Sequence, residues 1–499
     1  MMNSRRPVVR GALIVTAVIG SSAHGKAALA QSALSFTAGD LVVSVEGNGS
    51  NTAATLSGNT GNAAGTYEDN QAAPLTLFEY SLGGTTSASQ VGSLMLPQVS
   101  TPGGNYAVSG EYGSSSEGTL QLSGNGQYLT IMGYATNAQS YNATSDLNGT
   151  GTSLAQSPNP VGGGSNSVLR DIALISANGT VNSTTAISGV FNENNPRSVY
   201  TQNGTSFYIS GQGNKDATGG VFYVSQLGAT TATAITGLDT SKYNQDTRDV
   251  QIVNGQLTVS VDSTEVSAFN IDRIGTLTAP GGGLPTTTLN QQPTALPGIN
   301  GAVTLSNGNG NSINQSAGSA YLSPEGFFYA NSTTLYVADS GEPKNGSSQG
   351  SAGAPNPGDG GLQKWSLVNG AWQLDYTLST GLNLVPNDND QTNGTGHGVS
   401  GLEGLAGQVV NGQVELFATS YVLGDTDQTY LYGITDTLAD TTASQAAGES
   451  FTTLEAAPAD SEFKGVAFAP VPLPSGISLL LGGLAAFGIF ARRGAKTLI

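Results

Sequence analysis

Residues 464–468 read Lys-Gly-Val-Ala-Phe, and this stretch near the end of the chain decides the fold. It places one charged residue before a small or polar residue and a short apolar run. The same order recurs five times earlier, each time followed by a turn and a stronger apolar strand. The earlier units begin at Glu117-Gly118, Arg197-Ser198, Arg248-Asp249, Glu325-Gly326 and Glu403-Gly404, and their stronger strands are 128–132, 206–209, 256–261, 334–337 and 414–418. Short runs of this kind, bounded by Gly, Asn and Ser, predict an all-β protein.

The sixth unit lacks its second strand, and the beginning of the chain supplies one. Residues 40–45 (Asp-Leu-Val-Val-Ser-Val) fit that place, and residues 75–80 would form the third strand. A β-propeller closes in this way, with one blade built from both ends of the chain. We therefore predict a six-bladed β-propeller, with a seventh blade within 279–318 as an open variant. A β-sandwich or β-solenoid is the alternative architecture.

The body of the chain resembles a group of secreted bacterial propeller proteins. The resemblance rests on short motifs spread over most of 40–470: Gly126-Gln127-Tyr128-Leu129-Thr130, Leu335-Tyr336-Val337-Ala338-Asp339, Gly361-Leu362-Gln363-Lys364-Trp365 and Lys464-Gly465-Val466-Ala467-Phe468-Ala469-Pro470. That group has no assigned reaction. The resemblance therefore implies a fold and no activity.

The two ends of the chain predict export and sorting. Residues 1–30 have the features of a signal peptide with its own helix: a basic start, an apolar stretch and the small-x-small site Ala28-Leu29-Ala30. The tail 471–499 begins with Val471, Pro472, Leu473, Pro474 and Ser475, continues with an apolar run that predicts a short membrane helix, and ends near Arg492 and Arg493. This tail resembles the sorting signal of exosortase substrates, of the PEP-CTERM type and its VPLPA variant. The remaining residues, 31–470, would form the propeller ectodomain.

The resemblance of the tail implies an address and two processing partners. The protein would cross the inner membrane of a Gram-negative bacterium, be held there transiently, and be processed by signal peptidase and an exosortase. It would then reach the cell surface or the extracellular space, where polysaccharide is the expected partner. The residues after the tail's apolar run are basic, which agrees with a cytoplasmic end.

The composition excludes several classes of function. Residues 31–470 hold 9 Lys and Arg against all 34 Asp and Glu, a net charge of −25 that repels nucleic acid. Cysteine is absent, so there are no disulfides, thiolate metal sites or cysteine nucleophiles. His397 is the only histidine after residue 30, in a loop without a Gly-x-Ser-x-Gly elbow, and we assign it no chemical role.

The charged residue of each unit predicts a ring around the central channel, because the first strand of a propeller blade lines it. In ring order these residues are Lys464, Glu117, Arg197, Arg248, Glu325 and Glu403. Three bases and three acids could neutralise one another as a structural girdle. The alternative is a site at the channel mouth for a small ligand, in which Glu325 and Glu403 would act as acid and base in glycoside cleavage.

Calcium is the one cofactor that the sequence suggests. Asp388 and Asp390 lie in an Asn/Asp-rich loop, with Asp425 and Asp427 in another, and calcium prefers such oxygen ligands. A solvated acidic loop explains the same residues. We interpret the chain as a non-enzymatic surface protein with a structural or adhesive role in the exopolysaccharide or biofilm layer. The alternatives are a propeller enzyme acting on a sugar or phosphoester, and a non-catalytic ligand-binding module.

Overall fold

Antiparallel strands form almost all of the regular structure in the computed structural model of the chain. The structure describes residues 34–47, 67–114, 116–144, 153–164, 166–214, 217–236, 246–262, 273–300, 304–307, 311–314, 322–341, 360–385 and 397–472. The predictions for the signal peptide, for most of the sorting tail and for Asp388 and Asp390 therefore lie outside the described residues. All described residues belong to the compact unit that begins at Leu34.

Within these ranges the structure contains 27 strands and one short helix, α1 (Ala138–Thr144). The strands are β1 Leu41–Gly47, β2 Ala72–Leu82, β3 Ala88–Met95, β4 Ser109–Glu111, β5 Gln121–Leu122, β6 Tyr128–Tyr134, β7 Arg170–Ser176, β8 Val181–Ile187, β9 Pro196–Tyr200, β10 Phe207–Gly211, β11 Gly220–Val224, β12 Thr233–Ala234, β13 Thr247–Val253, β14 Gln256–Val261, β15 Arg273–Leu277, β16 Thr294–Asn300, β17 Thr304–Asn307, β18 Asn311–Asn314, β19 Pro324–Asn331, β20 Thr334–Asp339, β21 Gly361–Val368, β22 Ala371–Leu378, β23 Val399–Val410, β24 Gln413–Val422, β25 Tyr430–Thr437, β26 Thr452–Ala456 and β27 Ser461–Phe468. The all-β prediction is confirmed.

The strands form four separate four-stranded sheets of the propeller-blade type, not the six or seven predicted. These sheets are β9–β12, β13–β16, β19–β22 and β23–β26, each joined by antiparallel neighbours in chain order. The strands β1–β8 and β27 form one nine-stranded sheet instead, and β17 and β18 pair with each other. The predicted separation fails here because the start of β2 pairs with β4, Ala72 opposite Glu111, and links strands that the repeat assigns to different units.

The last strand closes the arrangement by pairing with the first. In β27 and β1, Phe468 lies opposite Leu41 and Val466 opposite Val43. The other edge of β1 pairs with β2, with Val43 opposite Phe78. The predicted strand contribution from both ends of the described body is thus confirmed.

The core is divided among clusters, and five of those in the described residues lie between two successive sheets. One cluster joins Leu41 and Val43 of β1 to Phe417 and Leu431 of the β23–β26 sheet. Corresponding clusters join the β19–β22 sheet to the β23–β26 sheet, and the β9–β12 sheet to the β13–β16 sheet. Face-to-face packing of each sheet on the next gives the propeller-like arrangement.

No helix in the described ranges is long and apolar enough to cross a membrane. The apolar run of the sorting tail lies outside those ranges, so its prediction stays a prediction.

Candidate functional site

The structure brings the six predicted ring residues together at the centre, where all are buried. Five of them lie on the first strand of a unit, and the sixth precedes a very short strand. The five are Arg197 on β9, Arg248 on β13, Glu325 on β19, Glu403 on β23 and Lys464 on β27, and Glu117 precedes β5. Their exposed fractions range from 2% to 7%. Charges buried to this extent need ion-pair or hydrogen-bond partners, and these partners determine how the ring residues are arranged.

The two arginines together pair with three carboxylates, and one of these contacts both arginines. Arg248 lies 3.1 Å from Glu325 and 2.9 Å from Asp262, and its Nε is 3.3 Å from Asp246. Arg197 forms an ion pair with the same Asp246. Burial raises the pKa of Glu325 well above its usual value, although Arg248 opposes this shift. The neighbouring carboxylates in turn raise the pKa of Arg248 despite its burial, so its charge is secure.

Lys464 lies in a second, more acidic group. Its Nζ is 2.7 Å from Glu462 and donates to the backbone carbonyl of Ser114. Burial opposes its charge, but Glu462, Glu403 and Glu46 together raise the pKa of Lys464 above its usual value. Glu46 is 0% exposed, and neither of its carboxylate oxygens accepts a hydrogen bond from the described residues. Burial, opposed by Lys464, raises the pKa of Glu46 well above its usual value.

Glu117 is held by neutral donors and by a nearby arginine. Tyr134 donates its hydroxyl proton to Glu117, and Asn195 Nδ2 lies 2.7 Å from the same oxygen. Burial still raises the pKa of Glu117. Arg170, fully buried over the Tyr134 ring, supplies a positive charge to this side and donates to backbone carbonyls such as Phe191 at 2.9 Å.

The small residue after the charged position has a steric reason in the structure. A Cβ added at Gly326 would lie 2.9 Å from the carbonyl oxygen of Glu403, and one at Gly404 would lie 2.8 Å from that of Lys464. The strands that carry Glu325 and Glu403 therefore pack the following glycine against the backbone of the next charged residue. The Glu-Gly pair lets successive inner strands approach one another closely around the centre.

Hydroxyl groups on the second strands add a repeated contact between successive units. Each donates to a backbone carbonyl at or next to the charged position of the following unit. The pairs are Ser44 to Gly118 (2.6 Å), Ser210 to Arg248 (2.5 Å), Ser260 to Glu325 (2.7 Å) and Thr419 to Lys464. These hydroxyls occupy the same place at the end of the apolar run in each strand, a pattern that the sequence shows.

The space between the ring residues is too small for a substrate. A cavity of about 10 Å³ is lined by Arg197, Arg248, Glu325 and Glu403. This is the volume that one water needs. A sugar ring does not fit between Glu325 and Glu403, and the ion pairs fill the centre.

A larger polar cavity of about 190 Å³ opens beside the centre, and most of its lining was not predicted. Besides Arg197 and Arg248 it is lined by Asp69, Asn70, Glu111, Gly113, Ser114, Ser116, Asn195, Gln212, Tyr421 and Asp425. Gly113 (φ 86°) brings the walls together, because an added Cβ would lie 2.5 Å from Asp69 Oδ1 and 3.1 Å from the Asp425 carbonyl. The only sequence signal for this cavity is the acidic loop at Asp425.

Two buried groups of this lining are chemically distinctive. Burial and the nearby Glu117 raise the pKa of Glu111 well above its usual value, while a hydrogen bond from the Ala155 amide opposes the shift. Arg197 pairs with Asp246 and donates to Gln212 at 3.1 Å, but its Nε–H has no acceptor in the described part of the chain. Glu111 thus places a carboxyl group with a raised pKa in the cavity lining, whereas Arg197 Nε–H is enclosed by the protein.

Of the four residues predicted to bind calcium, the structure describes Asp425 and Asp427, and these two have different surroundings. Asp427 accepts hydrogen bonds from the amides of Gly398 (2.7 Å) and Gly424 (3.0 Å) and lies 2.8 Å from His397 Nδ1. Asp425 lines the polar cavity instead. Across the described ranges, no group of three or more His, Asp or Glu residues could hold a metal ion. Calcium binding by the loop of Asp388 and Asp390 stays a prediction.

The first two residues of the predicted sorting motif lie on the surface of the body. The Val471 amide donates to the Gly126 carbonyl at 2.8 Å, and its side chain is 43% exposed. Val471 and Pro472 line a surface groove of about 240 Å³ together with Gln127, Tyr128 and Ala177. The remaining motif residues, from Leu473 to Arg493, lie outside the described residues.

Known proteins add little to this description. A scan against models of protein families gave no match, and a search of curated proteins gave none. Among solved structures, the chain is similar to a GH74 enzyme of Niastella koreensis at 13% identity and a TM-score of 0.32, covering 76% of this chain and 43% of that one. It is also similar to an α-L-arabinanase of Penicillium chrysogenum, solved with arabinobiose, at 11% identity and a TM-score of 0.33, covering 74% and 86%.

A third similar structure is a GH43 β-xylosidase/α-arabinofuranosidase from a compost metagenome, at 9% identity and a TM-score of 0.29, covering 73% of this chain and 98% of that one. The chain spans less than half of the GH74 enzyme. At these TM-scores the likenesses carry no argument about activity, and the function must be argued from the site itself.

Proposed function

We propose that the chain is an exported propeller protein that binds a small polyhydroxylated ligand, of the sugar class, in the polar cavity beside its centre. The observation that carries this proposal is the lining of that cavity. It combines carboxylates, amides and hydroxyls around one open polar cavity. A few polar groups of this kind hydrogen-bond the hydroxyls of a small ligand and fix its orientation. The volume suits one small ligand rather than a drug-sized one.

The ion-pair ring supports binding by holding this lining in place. Arg197 and Arg248 line the cavity, and their charges are fixed by Asp246, Asp262 and Glu325. Side chains locked in this way need little reorganisation when a ligand arrives. In this proposal the ring acts as a structural girdle, as one of the two interpretations of the sequence had it.

We further propose that the nine-stranded sheet represents two blades joined by the β2–β4 pairing, so that the propeller has six. The run β27–β1–β2–β3 forms one antiparallel four-stranded unit, and β5–β6–β7–β8 forms another. Six charged residues on six inner segments support this count. An experimental structure in which β2 and β4 belong to one continuous blade would contradict it.

The proposed setting is the bacterial surface, and it rests on the resemblance of the tail 471–499 to exosortase signals. Signal peptidase and an exosortase would process the ends, and the body would remain in or on the exopolysaccharide layer with a structural or adhesive role. A sugar-binding cavity suits that setting. The test is fractionation of an exosortase-positive and an exosortase-negative host. Retention of the chain in the inner membrane of both would overturn the export proposal.

Binding is tested by titration calorimetry of the purified protein with a panel of neutral, acidic and amino monosaccharides. We expect at least one to bind, with affinity lowered at least tenfold in Asn195→Ala and unchanged in Glu415→Gln. Glu415 pairs with Gln408 on the β23–β24 hairpin and does not line the cavity. If no sugar binds, or if the two variants behave alike, the cavity is not the binding site.

Glycoside hydrolysis is a second candidate, and Glu111 is the observation that favours it. A carboxyl group with a raised pKa beside a second carboxylate is the arrangement of a general acid and its partner. Glu111 has the raised pKa, and Asp69 lies close enough to contribute to it. Chromogenic glycosides test this: Glu111→Gln should abolish any turnover, while Glu325→Gln should retain it. Turnover that is lost in Glu325→Gln and kept in Glu111→Gln would place the catalytic site among the ring residues instead.

A further inference from the structure

A second buried polar group, away from the central cavity, joins two successive sheets. Lys364 of β21 and Asp436 of β25 are both 0% exposed, and Lys364 Nζ lies 2.7 Å from Asp436 Oδ2. Tyr376 donates its hydroxyl proton to Asp436 Oδ1 at 2.6 Å, and Tyr336 donates to Oδ2. The Lys364 ammonium also lies 5.6 Å and 5.3 Å from the ring centres of Tyr336 and Tyr376. An amine and a carboxyl group are thus held in contact among aromatic side chains.

Glu449 is the third member of this group. Its Oε1 accepts a hydrogen bond from the Thr437 amide at 3.0 Å, whereas its buried Oε2 accepts none from the described residues. Burial and a hydrogen bond with Asp436 raise the pKa of Glu449 to about 8. The simplest arrangement is a proton on Oε2 that is donated to Asp436. Because Glu449 is only half-buried, it can also exchange protons with solvent.

We propose that Lys364 and Asp436 react with each other and form an isopeptide bond that covalently joins the β19–β22 sheet to the β23–β26 sheet. Their contact is maintained by the fold, so the reaction is intramolecular and has a high effective concentration. The product is a neutral amide, which removes two charges whose burial is costly. This inference is independent of the proposed sugar binding.

The reaction needs no oxidant, metal or cofactor. Lys364 transfers a proton to Asp436 along their 2.7 Å contact, which leaves a neutral amine and a carboxylic acid. The amine lone pair attacks Cγ, the C–N bond forms, and the oxygen that gains charge is stabilised by the tyrosine hydroxyls. Glu449 protonates the departing hydroxyl and then takes a proton from the nitrogen. One water leaves, and Glu449 ends protonated as it began.

A link of this kind has a physical role in this chain. Cysteine is absent, so no disulfide can join the sheets. Lys364 and Asp436 lie on neighbouring sheets and are 72 positions apart in the chain. A covalent bond between β21 and β25 would restrict the unfolded chain in the manner of a disulfide.

The test is the intact mass of the purified, folded protein, followed by peptide mapping with chymotrypsin. We expect a mass lower than that of the polypeptide by one water, and a branched peptide that joins Lys364 to Asp436. Lys364→Arg keeps the positive charge but removes the nucleophile, and it should show the full mass. Folded wild-type protein with the full mass after prolonged incubation, and with the two residues in separate peptides, would overturn the proposal.

Glu449→Gln keeps the test informative if variants at the buried pair do not fold. Glu449 is only half-buried, so we expect this variant to fold and to form the bond at least about 100-fold more slowly, the lower end of what a proton-transfer group contributes. Slow linking would support the proposal. Linking as fast as in the wild type would overturn the role assigned to Glu449. Glu415→Gln is the matched control, because Glu415 pairs with Gln408 and takes no part in the group around Lys364 and Asp436. This variant should form the bond at the wild-type rate.

Discussion

Arg248 Nη1 lies 3.1 Å from Glu325 Oε1, and this ion pair joins the first strands of two successive sheets, β13 and β19. Both side chains are about 5% exposed. The pair therefore couples two sheets at the point where they meet the centre. Because Arg248 also contacts Asp246 and Asp262, its charge does not depend on Glu325 alone.

Glu325→Gln should lower the free energy of unfolding moderately. Breaking a buried pair costs about 3–5 kcal/mol when the remaining charge has no partner, but two other carboxylates remain near Arg248, so we expect a loss of about 1–3 kcal/mol. Urea unfolding followed by the fluorescence of the buried Trp365 and Trp372 measures it. Glu415→Gln is the control, with an expected change near zero. A variant with unchanged stability would show that this pair does not secure the ring.

Glu46→Gln, in contrast to Glu325→Gln, should raise the free energy of unfolding relative to the wild type as the pH rises. Burial raises the pKa of Glu46 well above 4.5, so the folded state keeps a proton that the unfolded state releases as the pH rises. The wild type therefore loses stability from about the unfolded pKa upward, at up to about 1.4 kcal/mol per pH unit, until the folded pKa is passed. Gln mimics the protonated form and lacks this loss.

The measurement is urea unfolding of both proteins at several pH values between 4 and 8. At the acid end the variant should match the wild type closely, and its relative stability should rise with pH. A variant that is destabilised most at high pH would mean that Glu46 is ionised in the folded protein, stabilised by Lys464.

The sequence predicted the second strands well because each is an apolar run bounded by turn residues. The predicted 256–261 coincides with β14, and the predicted 334–337 lies within β20. It did not predict the β2–β4 pairing, because Ala72–Pro74 contains a proline and Ser109–Glu111 is too short and polar to show a strand pattern. Which short segment completes a sheet edge depends on the neighbouring sheets, not on local sequence.

The ring residues were predictable because one charged residue recurs on each first strand, but their partners were overlooked. Glu462 precedes Lys464 by two positions, and Asp246 precedes Arg248 by two. Side chains two apart on a strand face the same side, so this spacing could have revealed both pairs. The polar cavity could not be predicted, because Asp69, Glu111 and Asn195 come from segments that only the closed arrangement brings together.

Ser260→Ala tests the repeated hydroxyl contact between units. The Ser260 hydroxyl donates to the Glu325 carbonyl at 2.7 Å and accepts from the Asp249 amide at 2.9 Å. Its removal leaves two buried backbone groups without a partner, so we expect a loss of about 2–3 kcal/mol in unfolding free energy. Ser444→Ala, in an exposed turn, should change it by less than about 0.5 kcal/mol. Equal effects of the two substitutions would rule out a role for the hydroxyl in joining the sheets.

Gly404→Ala tests whether the glycine after the charged residue is required for close approach. An added Cβ would lie 2.7 Å from Thr419 Oγ1 and 2.8 Å from the Lys464 carbonyl, and that carbonyl belongs to a paired strand that cannot easily move. Overpacking of this kind costs about 1–3 kcal/mol or more. Gly448 is the matched control, because a Cβ there would have no neighbour within 4 Å. We expect Gly448→Ala to be neutral or slightly stabilising, since alanine restricts the unfolded chain. If Gly404→Ala unfolds at the same urea concentration as the control, the inner strands can accommodate a Cβ at this position. Close approach of the strands would then not explain the glycine after Glu403.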